Sequence, residues 1–190
     1  ILIVGEFIFG LGDSLLIAAG VGNTPWTVLA EGIADTVEVW TIGEATFLVS
    51  IAVMFLWIPI KETPGIGTIL NIIIIALTIH VMVPILPQSE SFLVSILMAS
   101  SGIVLVGIGS SMYLTANLGP GPRDGWMTGL QKSTGVPIGR VRITIEASVL
   151  VIGVFLGGTF GIGTVLFALT IGPVVATCLS IASRIDSSTA

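Results

Sequence analysis

The chain has 190 residues, 54% of them hydrophobic and only 9% charged, with a mean hydropathy of +1.11 and a formal charge of −5. Soluble domains carry roughly 25% charged residues, so this composition excludes an ordinary water-soluble domain and points to an integral membrane protein. A lone cysteine, Cys178, excludes an internal disulfide, and a lone histidine, His80, argues against a multi-histidine metal centre.

A crossing helix needs about 20 mostly apolar residues. In chain order, six stretches qualify: Ile1–Ala19, Ile42–Ile60, Gly65–Leu86, Phe92–Leu114, Ile138–Leu156 and Gly161–Ile181. The first begins at Ile1 already inside an apolar run, so a short preceding segment is expected. It lacks the small-residue cleavage site of a signal peptide. Between spans one and two lies "VGNTPWTVLAEGIADTVEVW", and between spans four and five "TANLGPGPRDGWMTGLQKSTG". Both are too polar to cross lipid, and each has room for a helix of a few turns.

Six crossings put Lys61, Arg123, Lys132, Arg140, Arg142 and Arg184 at one side, and Glu31, Asp35, Glu38, Glu44 and Glu90 at the other. The positive-inside rule makes the basic side cytoplasmic. The expected location is therefore the bacterial cytoplasmic (inner) membrane, multi-pass, with both termini cytoplasmic.

The chain also repeats itself. "FGLGDSLLIAAGVGNTPWTVLAEGI" aligns with "VGIGSSMYLTANLGPGPRDGWMTGL" at a shift of 97, Gly10 onto Gly107. Gly12 meets Gly109, Ser14 meets Ser111, Gly22 meets Gly119, Pro25 meets Pro122 and Gly32 meets Gly129. After a one-residue gap, "GIGTIL" from Gly65 meets "GIGTVL" from Gly161. The expected organisation is one membrane domain, 1–190, with repeat one over 1–90 and repeat two over 91–190. Three spans per half is an odd number, so the halves must insert upside down relative to each other, as in many transporters. The fold class expected is all-α: six transmembrane helices as two inverted three-helix repeats, each with one short re-entrant or interfacial helix.

Those short helices start at Gly22–Pro25 and Gly119–Pro122. Glycine permits the chain reversal and proline suits the first helical turn. Backbone N–H groups at such starts attract anions or carboxylates, and re-entrant backbone is tolerated only when buried in protein or lining a wet cavity. An interfacial helix would equally explain Trp26, Trp40 and Trp126, and a solvated cytoplasmic loop would explain Arg123–Asp124 taken alone. The same breakers in both halves favour a functional role for the pair.

The strings "GLGDSLLIAAGVGNTPWTVLAEGI", "PGIGTILN", "LGPGPRDGWMTGL" and "GIGTVLFALTIGP" resemble those of YczE/YyaS/YitT-type bacterial membrane proteins, the YczE branch above all. The resemblance covers nearly the whole chain, with a departure at Asn23 and Thr24. It implies a multi-span inner-membrane protein of permease type and supplies no catalytic residues.

Ionisable residues within spans are costly and usually face a protein interior or cavity. They are Glu6, Asp13, His80 and Glu146, with Arg142 at the edge. Asp13 and Ser14 align with Ser110 and Ser111, and the two pairs are expected to face each other near the short helices. Arg142 and Glu146, four apart, read as a structural ion pair. The pathway candidates are Asp13, Ser14, Asn23, Thr24, Pro25, His80, Ser110, Ser111, Gly121, Pro122, Arg123 and Asp124. Glu6 is expected near the cytoplasmic headgroups. The many glycines, such as Gly102, Gly107 and Gly109, suit close helix packing in lipid.

No nucleophile–base pair, metal-ligand cluster or phosphate loop is visible, so neither an enzyme nor a cofactor or metal is expected. Six basic residues are too few for nucleic acid. The function expected is a permease or channel-like transporter of a small-molecule or anionic solute. The expected partners are the bilayer and a second copy or a larger membrane complex. The competing reading is a non-transporting accessory subunit of such a complex.

Overall fold

The computed structural model describes the backbone of residues 1–188 and the side chains of residues 1–183. Arg184, one of the charges used for orientation, therefore lies outside the described side chains. Within the described residues the fold is all-helical: α1 (Leu2–Ala19), α2 (Pro25–Val37), α3 (Ile42–Phe55), α4 (Ile66–Met82), α5 (Phe92–Thr115), α6 (Pro122–Thr134), α7 (Ile138–Phe155) and α8 (Ile162–Ser188).

Three helices are long and apolar enough to cross a membrane: α1, α5 and the Ile162–Ser183 part of α8. A fourth crossing arises if α2 and α3, bent by 114° at their junction, act as one. The six crossings expected from hydropathy thus correspond to fewer full-length helices. Prolines explain part of the difference. The residue before a proline disfavours helix and the proline itself has no N–H to donate. Accordingly α3 stops at Phe55, ahead of Ile58–Pro59, and α4 at Met82, ahead of Val83–Pro84. Helix α7 has 18 residues but carries Arg140, Arg142 and Glu146 in its first half.

Packing is set by small residues, as expected where lipid removes the hydrophobic drive for association. Helices α1 and α5 cross backbone to backbone. A Cβ on Gly12 would lie 2.6 Å from the Gly102 carbonyl oxygen, and one on Gly109 would lie 2.5 Å from that of Gly5. These two contacts exchange under the 97-residue shift. Leu16 of α1, Ala99, Ile103 and Val106 of α5, and Phe167 and Ile171 of α8 form one buried cluster. A second cluster joins Trp26 of α2, Val49 and Val53 of α3, Met127 of α6, and Val141, Ile145 and Val149 of α7.

The turns after α1 and α5 dock in matching ways. Gly22 and Gly119 share a φ of 114°, a backbone angle that side chains resist. Val21 O accepts from Gly163 N and Leu118 O accepts from Gly67 N, both at 2.8 Å. Each turn thereby caps the start of a helix in the other half of the chain, α8 or α4. Thr164 Oγ1 and Thr68 Oγ1 complete these caps by accepting from Gly161 N and Gly65 N at 3.3 and 3.1 Å.

Candidate functional site

Both short helices begin beside one cavity of about 110 Å³. On this measure about 10–15 Å³ suffices for a water, so several fit. Helix α2 starts at Thr24, whose side chain accepts from Thr27 N at 3.3 Å and caps the helix, with Pro25 in the first turn. Helix α6 starts at Gly121 and Pro122 with no side-chain cap, and the Pro122 carbonyl accepts from Trp57 Nε1 at 2.9 Å. Thr24 and Trp26, Gly121, Arg123 and Asp124, Ser110 and Tyr113, Asn71, and Arg142 and Glu146 supply the polar part of the wall. Phe9, Val106, Phe167 and Ile171 supply the apolar part.

The short helices touch. The guanidinium of Arg123 lies 5.1 Å from the centre of the Trp26 ring, and Trp26 meets Trp126 edge to face at 6.4 Å. Trp26 is 5% exposed, so the headgroup-level reading of this tryptophan is corrected. It is a wall between two helix starts. The solvated-loop reading of Arg123 is corrected likewise: the side chain is half-buried over an aromatic ring.

Charges around the cavity are mostly answered locally. Arg142 Nε donates to Glu146 Oε1 at 2.8 Å, and the Tyr113 hydroxyl donates to Asp124. Asp13 is fully buried behind the wall. Its Oδ2 accepts from Thr27 Oγ1 at 3.1 Å, and Thr27 Oγ1 lies 2.8 Å from Thr24 Oγ1. A hydroxyl chain thus leads from the cavity to this carboxylate, whose Oδ1 has no hydrogen-bond partner among the described residues.

The other sequence candidates are dispersed. Ser14 donates to Gly10 O and Ser111 to Ile108 O, each within its own helix. Asn23 turns away to Glu31. His80 is at the far end of α4, its Nδ1 2.9 Å from Thr41 Oγ1, beside an open groove that includes Trp40 and Phe47. Glu6, expected near headgroups, is wholly buried, and neither carboxylate oxygen has a partner among the described residues.

The residue matches now have a structural frame. The family described as "Family of unknown function (DUF6198)" matches residues 1–180. The chain belongs to the DUF6198 family. It is 44% identical to an uncharacterized protein of Haemophilus influenzae over 97% of this chain and 84% of that one. It is 33% identical to the uncharacterized membrane protein YczE of Bacillus subtilis, covering 88% of this chain and 79% of YczE. It is 26% identical to the uncharacterized protein YyaS of the same organism, covering 86% and 83%. The YczE-type resemblance read from the motifs therefore holds, and with it membrane character. No solved structure matches the chain.

Sequence reasoning missed four residues that organise this DUF6198 site: Thr27, Trp57, Tyr113 and Glu31. Tyr113 is the only tyrosine in the chain, and Trp57 stands four residues before the basic Lys61; neither fact predicts a partner. The charge rule groups Glu31 with the acids of one side and names no partner for it. Its carboxylate accepts from Asn23 Nδ2 at 2.8 Å, Thr159 N at 2.7 Å and Thr159 Oγ1 at 2.9 Å, tying α2 to the turn before α8. Glu31→Gln turns one acceptor into a donor facing donors. It is expected to cost about 2 kcal/mol, in line with hydrogen bonds to charged groups. Thermal unfolding of the purified protein should show a fall of about 4–8 °C. An unchanged Tm would mean that this carboxylate does not hold the turn.

Proposed function

We propose that this DUF6198 protein is a small permease or channel-like transporter for a small solute in the bacterial cytoplasmic membrane. Its two halves, 1–90 and 91–190, insert antiparallel, and the starts of α2 and α6 reach inward from opposite leaflets to form the solute pathway. The basic ends, with both termini, face the cytoplasm.

One observation carries the reading. The helix starts that the alignment pairs, Trp26 and Arg123 above all, stack on each other at a polar cavity. Residues 97 apart in a repeat touch each other only close to the axis relating the copies, which is where transporters of inverted-repeat design bind their cargo. The exchange of Gly12–Gly102 for Gly109–Gly5, and of the Gly22 docking for the Gly119 docking, supports the same relation. Helix starts lining a cavity with charged walls suit the rule that irregular backbone at membrane depth lines cavities or is buried in protein.

The test is permeation. Proteoliposomes and protein-free liposomes are challenged by stopped-flow light scattering with formate, acetate, glycine, urea and glycerol in turn. At least one solute should enter faster with protein, and Asp13→Asn should change that rate. No difference from bare liposomes for any solute would remove the transport reading. Equal rates in wild type and variant would remove Asp13 from the pathway.

A second reading, a non-transporting subunit of a larger membrane complex, has support in the outer face of α8. There Ile162, Val165, Leu169 and Ile181 are between 47% and 71% exposed in the single chain. Null permeation together with co-purifying membrane proteins would favour it.

A further inference from the structure

Among the described residues, Arg123 is the one charge in the cavity wall without a hydrogen-bond or ion-pair partner. Asp124 takes the Tyr113 hydroxyl, Glu146 takes Arg142, and Asp13 takes Thr27 from behind the wall. Arg123 makes no hydrogen bond or ion pair to any described residue; its guanidinium lies 5.1 Å from the centre of the Trp26 ring. A half-buried guanidinium without an acceptor is expensive, and an aromatic ring supplies only part of what water would. Arg123 lines the cavity, and no described residue takes up the N–H groups of its fork. A guanidinium fork matches planar, two-oxygen acceptors.

We infer that the cavity binds a small planar oxyanion, a short monocarboxylate or its like, two-pronged on Arg123 with its remaining atoms against Phe9, Val106 and Ile171. The inference rests on the transport reading for its purpose, though not for its geometry. The volume, about 110 Å³, sets the size: a solute of a few heavy atoms. Asp13, Asp124 and Glu146 all lie within electrostatic reach of Arg123.

Tryptophan fluorescence reads the site directly, because Trp26 lies under Arg123. Purified protein in lipid nanodiscs is titrated at constant ionic strength with sodium acetate, sodium nitrate and methylammonium chloride, against sodium chloride as reference. Acetate should give a saturating change that Trp26→Phe diminishes. Nitrate also saturating defines the class as planar oxyanions; acetate alone defines it as carboxylates. Arg123→Gln should weaken acetate by about tenfold or more, the scale of a lost charge-assisted hydrogen bond. Should that variant not fold, Arg123→Lys keeps the charge without the fork and should still weaken acetate severalfold. Saturation by methylammonium instead, no saturation by acetate or nitrate, or unchanged acetate affinity in the Arg123 variant that folds would overturn the inference. The two readings separate cleanly. Acetate binding without permeation leaves the site and removes the permease, whereas permeation without acetate or nitrate binding does the reverse.

Discussion

Gly12→Val should lower the melting temperature of the detergent-purified protein by about 6–12 °C, corresponding to about 3 kcal/mol or more for a chain of this size. The reason is geometric. The first added carbon would lie 2.6 Å from the Gly102 carbonyl oxygen and 2.7 Å from the Val106 amide nitrogen, both backbone atoms that cannot step aside. The helices must separate, and in lipid nothing but close contact holds them together. Gly109→Val should behave alike, because its added carbon would lie 2.5 Å from both Gly5 O and Phe9 N. Gly139→Ala in the first turn of α7 is the control. Nothing stands within 4 Å of that position, and helix propensity there favours alanine by up to about 1 kcal/mol. Its Tm should hold or rise slightly. If Gly12 and Gly139 variants unfolded at the same temperature, the α1–α5 crossing would not be what holds the fold.

The second large effect is a coupling. Trp57, 2% exposed, lays its ring where a Cβ on Gly125 would stand, and donates to Pro122 O. The aligned positions in the other half are Gly153 and Val28, where the large and small partners have changed places and a Cβ on Gly153 would lie 2.7 Å from the Val28 carbonyl carbon. Trp57→Ala is expected to cost about 3–5 kcal/mol through the cavity it leaves. Gly125→Val, with the ring still present, is expected to cost about 1–3 kcal/mol by overpacking. Together they should lose less than their sum by about 2 kcal/mol, since valine refills space the indole vacates. Thermal unfolding of the four proteins measures the cycle, and the double variant should melt about 4–8 °C above the additive expectation. Additive losses would show that the ring and the glycine do not share one space.

Several features were legible before any coordinates. Apolar runs broken by "NTPW" and "GPGPRDG" indicate membrane helices followed by short helices, and α2 and α6 begin at the prolines that announce them. Among the glycines paired at a spacing of 97, Gly12 and Gly109 are the ones at which α1 and α5 meet backbone to backbone. Span lengths were less legible, because a hydropathy window runs through Pro59 and Pro84 while a helix does not. Side-chain partners were the least legible. Tryptophans at loop edges usually mean headgroups, yet Trp26 lies inside. The charge rule assigns Glu31 a side but no partner, and its partner Thr159 is 128 residues away.

By itself the sequence determined the solvent of this protein, where its helices start, and which glycines permit contact. Each follows from local physics: apolar surface, proline's missing donor and fixed φ, and glycine's missing Cβ. Only the tertiary structure decided that Arg123 would lie on Trp26 and that Asp13 would be sealed behind Thr24 and Thr27. Those meetings depend on two turns folding back so that distant helix starts share one cavity, and no periodicity along a chain records which distant segments will face each other.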